Sequence, residues 1–275
     1  MRINTSMMIQ QTSQSNLVQK SLSKVMQKLA LGKRITTASD DAAGLSIAKQ
    51  LESMSRGYKT AGANIEDASA ALNIADGGAS AMSDILQRQR DLATQASSDT
   101  LTNQDRQALN QEYQALNQEI GRISGSTQYN TQDLLSGQSP LSDGTGTLQV
   151  GPGADGTSQL QTPNVDMSAT AIGAGGDIST GAGAQSALDS VSKALDNVSA
   201  GRSRIGAMSN RLEYANRNNA NMNINTTDAL SRMEDLDYAQ ATMELARDNI
   251  LSQSTMKTIQ NFNQISRNTI LGLLQ

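Results

Sequence analysis

Apolar side chains recur along residues 61–96 in alternating steps of four and three. The series is Ala61, Ile65, Ala68, Leu72, Ala75, Ala79, Met82, Leu86, Gln89, Ala93 and Ala96, and only Gln89 is polar. This is a heptad seam held for about five repeats, the pattern of a helix that packs along its whole length. Gly77 and Gly78 fall inside it, each costing about 1 kcal/mol against Ala in a helix interior. The seam continues in phase through them, so the pattern predicts one helix with a soft point. "SSDTLTNQDRQAL" then gives a break and a restart. Thr102 is an N-cap residue type, and Asp105 falls in the first turn, where a carboxylate complements the free N–H groups. Leu109, Tyr113, Leu116, Ile120 and Ile123 carry a second seam. Leu188, Val191, Leu195, Val198, Arg202, Ile205, Ser209 and Leu212 carry a third, with two polar intrusions. Three seams predict a bundle of long antiparallel helices, the third supplied by the carboxy-terminal half.

Residues 136–185 are a different material. They hold eleven of the 22 glycines and all three prolines, and no Lys or Arg occurs between Ile123 and Ser192. "LQV" and "SQLQTPNVDM" allow short strands around turns such as "GPGADG". Pro140, Pro152 and Pro163 each precede an Asp by three residues, but the spacing does not fit a glycine-rich calcium-binding repeat, and turn punctuation explains it. Residues 138–185 therefore read as a small β-rich or irregular surface insertion, expected to tolerate deletion even of residues 145–175.

Both ends are helix-prone but polar. Val18, Leu22, Val25 and Leu29 form a short seam ahead of Gly32. Near the other end Ile250, Leu251, Met256, Ile259, Phe262, Ile265, Ile270, Leu271, Leu273 and Leu274 follow a looser pattern. Helices of this kind are marginal alone in water, so the ends need partners.

Composition narrows the function. The chain of 275 residues has no Cys, no His, no Trp and one Phe. Thiolate nucleophiles, His bases and the commonest zinc ligands are thus missing. None of the sequence signatures H-E-x-x-H, P-loop or G-x-S-x-G is present, and no cofactor is expected. Alanine, leucine and methionine must do most of the packing, which suits narrow helical seams better than a spherical core. The net charge is −4, with a basic bias in residues 1–60. Those basic residues lack aromatic stacking partners, so nucleic acid is not expected as a partner. No run of 18 apolar residues is present, so membrane insertion is not expected either. The start, "MRINTSMMIQQTSQSN", has no apolar core of a signal peptide.

"RITTASDDAAGLSIAKQL" pairs two acids, Asp40 and Asp41. Gly32 ends one helix, and Ser39, Asp40 and Asp41 are N-cap types before the next apolar run. No His or third carboxylate lies nearby in sequence to make a catalytic dyad or a metal site. The expected role is helix cap and connector.

Taken together, "MRINTSMM", "LALGKRITTASDDAAGLSIAKQL", "ILQRQRDLATQASSDT", "DRQALNQEYQALNQEIGRIS", "TQYNTQDLLSG", "GRSRIGAMSNRL", "SRMEDLDYAQATMELARDNILSQ" and "ILGLLQ" closely resemble bacterial flagellin. The likeness covers residues 1–137 and 186–275 in order. It departs at Tyr129, where the family commonly has Phe before "NG" and this chain has "NT". The resemblance implies a mainly α fold: a long antiparallel coiled-coil-like helical bundle with paired terminal helices and a small β-rich or irregular central insertion. Residues 1–34 and 240–275 are expected to form the inner layer of a filament. Residues 35–137 with 186–239 are expected to form the bundle layer, and 138–185 a short surface insertion. Val18, Leu22, Val25 and Leu29 are expected to pack with Ile259, Phe262, Ile265 and Leu273 between helices or subunits, and the ends to be largely disordered before assembly.

The resemblance further implies a homopolymer outside the cell, exported unfolded through a type III channel. It implies as partners the flagellar export apparatus, an export chaperone, and hook-associated and cap proteins. In members recognised by an animal innate immune receptor, the positions matching Arg88, Leu92 and Glu112 form much of the contact. The alternative at that site is a solvated Arg88 and a Leu92 that widens the bundle face. Two other readings, a hook–filament junction protein and an exported coiled-coil adaptor, differ from a filament subunit in not polymerising alone.

Overall fold

A computed structural model of the chain describes residues 2–273. In order come α1 (Arg2–Leu31), α2 (Ala42–Ala96), α3 (Asn103–Ser126), β1 (Gln128–Tyr129), β2 (Gln132–Asp133), α4 (Pro140–Asp143), β3 (Thr147–Gln149), β4 (Gln159–Gln161), α5 (Ala169–Ile172), α6 (Gly181–Glu234) and α7 (Tyr238–Leu273). The chain divides into two compact units. A terminal unit joins Met1–Ser53 to Asn225–Gln275, and a central unit spans Met54–Ile224.

The central unit is built on α2, α3 and α6. The α2–α3 turn is held from both sides. Thr102 and Asp105 form a reciprocal capping box, in which Asp105 N–H donates to the Thr102 hydroxyl at 3.3 Å and Thr102 N–H to the Asp105 carboxylate at 3.0 Å. The Thr102 hydroxyl, then its backbone N–H, holds the Asp105 carboxyl below its ordinary range. Arg106 is buried, and its guanidinium donates to the carbonyls of Ala96 at 2.8 Å and Ser98 at 2.9 Å, satisfying acceptors left over at the end of α2. The pairing of α2 with α6 is antiparallel and nested. Arg202 pairs with Asp76 at 2.9 Å, and the Asn219 amide donates to the Tyr58 carbonyl at 2.8 Å.

The α2 seam is buried at every expected position apart from half-buried Leu72. Gln89 is fully enclosed. Its Nε2 donates to the Tyr113 carbonyl at 3.3 Å and its Oε1 has no hydrogen-bond partner. Helix α2 runs unbroken through Gly77 and Gly78, and the latter is a contact rather than a soft point. A Cβ added to Gly78 would lie 2.8 Å from Thr127 Oγ1 and 2.9 Å from Leu135 Cδ1.

The third seam is corrected by one residue in every repeat. Val191, Val198, Ile205 and Leu212 are buried as expected. The alternate positions are Ala187, Ala194, Gly201 and Met208, while Leu188, Leu195, Arg202 and Ser209 are only half-buried. Small residues let α6 approach closely, and the longer side chains flank the contact, so the two polar intrusions leave the seam altogether.

The insertion is also more than surface. Val165, Met167, Ile172 and Ile178 are buried in the same apolar cluster as Leu86, Tyr113 and Val198, as are Leu134 and Leu135 just ahead of the insertion. The expectation that residues 145–175 are dispensable is therefore corrected, since their removal takes three of these side chains away. The β3–β4 hairpin, with Leu148 opposite Leu160, lies over a second cluster of Ile65, Ala68, Met208 and Leu212. In the β1–β2 hairpin the two-residue turn is Asn130-Thr131, with φ of 48° and 64°. Glycine would hold such a turn at no steric cost, whereas Thr131, β-branched, is strained there.

Candidate assembly surface

In the terminal unit α1 pairs with α7. On α1 the covered positions are Gln11, Ser15, Val18, Leu22, Val25 and Leu29, at steps of four and three. Val25 is buried and the others are half-buried. On α7 they are Ala241, Leu245, Asp248, Ser252, Thr255, Ile259 and Phe262. Val18, Leu22, Val25, Leu29, Ile259 and Phe262 lie on these covered faces. Ile265 is 64% exposed and lies outside the α1–α7 seam, so of the two contacts expected of it, between helices or between subunits, it does not make the first. Leu273 ends α7, and its side chain lies outside those described.

Polar residues do much of the holding. The Asp248 side chain is buried and accepts from the Ser21 hydroxyl at 2.6 Å and from Arg247 at 3.2 Å. The Ser21 hydroxyl, and after it Arg247, holds the Asp248 carboxyl below its ordinary range.

The connector after α1 is tied to the turn between α6 and α7. Gly32, at φ 65°, ends α1 in the left-handed region. A Cβ there would come within 3.2 Å of the Tyr238 hydroxyl oxygen, which itself donates to the Leu29 carbonyl at 3.3 Å. Lys33 Nζ donates to the buried Glu234 carboxylate at 2.5 Å, Arg34 N–H to the Glu234 carbonyl at 2.6 Å, and Leu236 N–H to the Gly32 carbonyl at 3.0 Å.

The three connector residues divide their work. Asp41 caps α2, its carboxylate accepting from Gly44 N–H at 2.8 Å. Asp40 does not cap. One carboxylate oxygen takes Lys24 Nζ at 2.7 Å, with Lys28 at 3.9 Å, and the other accepts from the backbone and hydroxyls of Thr36 and Thr37 at 3.0–3.3 Å. Lys24 first, and then Thr36 and Thr37, drive the Asp40 carboxyl far below its ordinary range. Ser39 is exposed and meets only the Thr37 hydroxyl, at 2.9 Å. The partners Lys24, Lys33, Glu234 and Asp248 were not found by reading the sequence, since each lies on a different element from its counterpart. Among the described residues no group of three or more His, Cys, Asp or Glu stands ready to hold a metal ion.

The terminal unit leaves large apolar side chains outside among its polar ones. Met8, Ile9, Leu17, Met26 and Leu31 on α1 are exposed, as are Met243, Ile250, Leu251, Met256 and Ile265 on α7. In the central unit, Arg88 on α2 donates through Nε at 2.8 Å and Nη2 at 2.7 Å to one oxygen of Glu112 on α3. Leu92, one turn on, is 1% exposed. The three residues are near one another, but Leu92 is part of the core rather than an offered side chain.

The profile of the bacterial flagellin N-terminal helical region matches residues 3–140, and that of the C-terminal helical region matches residues 188–274. The chain belongs to the bacterial flagellin family. Flagellin of Halalkalibacterium halodurans is 42% identical over 243 residues, covering 88% of each chain. Flagellin of Bacillus subtilis is 32% identical over 281 residues, covering 92% of each. The crystal structure of Bacillus cereus flagellin aligns with a TM-score of 0.50 at 26% identity, over 57% of this chain and 88% of that one. The two flagellin regions leave out residues 141–187, the Gly/Pro-rich insertion. Membership makes the chain a structural subunit of the extracellular flagellar filament, a self-assembling polymer exported for motility. Among the described residues no helix is long and apolar enough to cross a membrane.

Proposed function

We propose that the two units divide the work of this flagellin. The terminal unit is the assembling layer of the filament, and the central unit is a prefolded bundle. The observation that carries this is the row of exposed apolar side chains on α1 and α7, from Met8 to Leu31 and from Met243 to Ile265. A surface of that kind on a subunit of a homopolymer is matched by other copies of the same chain. The α1–α7 seam is half-buried and rich in Gln, Ser and Thr, so it gains too little to offset ordering costs of about 1–2 kcal/mol per residue of backbone. The ends accordingly order on assembly, and coupled folding keeps the free subunit from polymerising early and lets it thread an export channel.

The finer partners follow the same logic. An export chaperone has the apolar face of α7 to cover before assembly. The export apparatus takes the unfolded chain, and hook-associated and cap proteins meet the ends of the polymer through the same helices. An innate immune receptor would engage the Arg88–Glu112 pair over a supporting Leu92. Deleting residues 251–275 tests the central claim. The truncated chain should keep the melting transition of the central unit and fail to polymerise, measured by calorimetry and light scattering. Filaments from the truncated chain would refute the assignment.

A further inference from the structure

Methionine is the only sulfur residue of this chain, which has no Cys. The methionines divide by place. Met82, Met167 and Met208 in the central unit are at most 2% exposed. On α1, Met8 and Met26 are 45% and 49% exposed, and on α7 Met243 and Met256 are 67% and 55% exposed. Met8 and Met26 are 18 residues apart, five full turns, so they share one side of α1. Among them stand the exposed Ile9, Leu17, Ile250 and Leu251. The four thioethers are thus among the exposed apolar side chains of the terminal unit.

We infer that Met8, Met26, Met243 and Met256 are a modification site through which a peroxide-class oxidant switches assembly off. The inference rests on the assembly reading given above. The sulfur lone pair attacks the peroxide, the O–O bond breaks and an S–O bond forms. Each thioether is oxidised to a sulfoxide, and hydrogen peroxide is reduced to water. The product is polar where the parent was apolar and flexible. Enclosed between subunits, its oxygen loses water and gains no assured donor. The central unit keeps its stability because the methionines of its core, Met82, Met167 and Met208, are out of reach, and Met54 and Met222 lie on its surface. In the polymer the four sulfurs are covered, so assembled subunits resist an oxidant that disables free ones. The change is reversible, since sulfoxide reductases of the two stereochemical types return both epimers to the thioether.

The test uses the full chain with hydrogen peroxide, peptide mass spectrometry, polymerisation induced by ammonium sulfate, and calorimetry. Met8, Met26, Met243 and Met256 should each gain one oxygen while Met82, Met167 and Met208 do not. Growth of the oxidised chain should slow at least tenfold with the central transition unmoved, and the reductase pair should restore it. A chain carrying M8L, M26L, M243L and M256L should polymerise equally well before and after peroxide, although Met54 and Met222 remain exposed and oxidisable. Oxidised wild type growing at the untreated rate would overturn the inference, as would loss of growth in the leucine variant on oxidation. If the untreated chain does not polymerise at all, the assembly reading itself falls, and the inference with it.

Discussion

Leu86 and Leu17 are the same side chain on two long helices. The first is fully enclosed in the central unit, and the second is 59% exposed in the terminal unit. The contrast holds for their surroundings. The central unit has a continuous apolar cluster drawn from α2, α3, α6 and the insertion. Among the described residues of the terminal unit the buried apolar side chains are Val25, Ile35, Ala48 and Ala241, and the well-buried charged groups Asp40, Glu234 and Asp248 are held by ion pairs and hydroxyls. One unit spends its hydrophobic residues on its own stability. The other fixes much of its geometry with polar links and leaves many of its large hydrophobic residues exposed.

The largest expected effect comes from the insertion. Deleting residues 145–175 removes Val165, Met167 and Ile172 from the central cluster, at about 2–5 kcal/mol for each emptied core position. That approaches or exceeds the stability of a typical domain, so the central melting transition should disappear. Replacing only Leu148–Leu160 by Asn-Gly should be far milder, because Thr147 and Gln161 already stand opposite one another. A cooperative melt in the larger deletion would show that the insertion is an appendage after all.

Next is the leucine pair. Leu86→Asp encloses an unpaired charge and should lower the central unit's stability by about 4 kcal/mol or more. Leu17→Asp should leave that transition in place and abolish polymerisation. If the two variants behave alike, the distinction between the units is false.

Acid should separate the units in a third way. The folded-state pKa of Asp40 is depressed, so its contribution is complete above the unfolded value of about 3.9 and is lost as pH falls through the lower folded value. Asp40→Asn removes the ion pair to Lys24 and should cost the terminal unit about 2 kcal/mol near neutrality. It should also flatten the fall in filament stability below about pH 4. The check is polymer mass against pH by sedimentation, and an unchanged acid limb in the variant would exclude Asp40 as a source.

The smallest effect is a gain. Thr131→Gly relieves a β-branched residue at positive φ and should stabilise the central unit by about 1 kcal/mol, read as a rise in Tm.

How much of this was legible follows from what the seams are made of. The α2 seam could be read in phase because its apolar residues are also its buried ones. The α6 seam was read one residue off because Leu188 and Leu195 stand out in sequence, whereas Ala187, Ala194 and Gly201 make the contact. On α7 periodicity misleads for a deeper reason. Asp248, Ser252 and Thr255 are covered while Ile250, Leu251 and Met256 are exposed, so the covered face is not the most hydrophobic one. The insertion could be recognised as irregular, but Val165, Met167, Ile172 and Ile178 reach the core from loops and short turns, which have no period to detect. At the connector, Asp41 meets Gly44 within its own turn, whereas the ion pair of Asp40 depends on Lys24 of α1, which no local pattern announces.

The nested antiparallel pairing has a consequence in time. Arg202 meets Asp76 across 126 positions and Asn219 meets Tyr58 across 161. Lys33 meets Glu234 across 201, and Ser21 meets Asp248 across 227. The contacts close like brackets, the inner ones inside the outer. Whichever end of a threaded chain arrives first, it must wait for the other end before the outermost bracket can shut. The α1–α7 face on which the polymer is proposed to grow is therefore the last part of each subunit to be completed, and a chain cut short in transit never presents it.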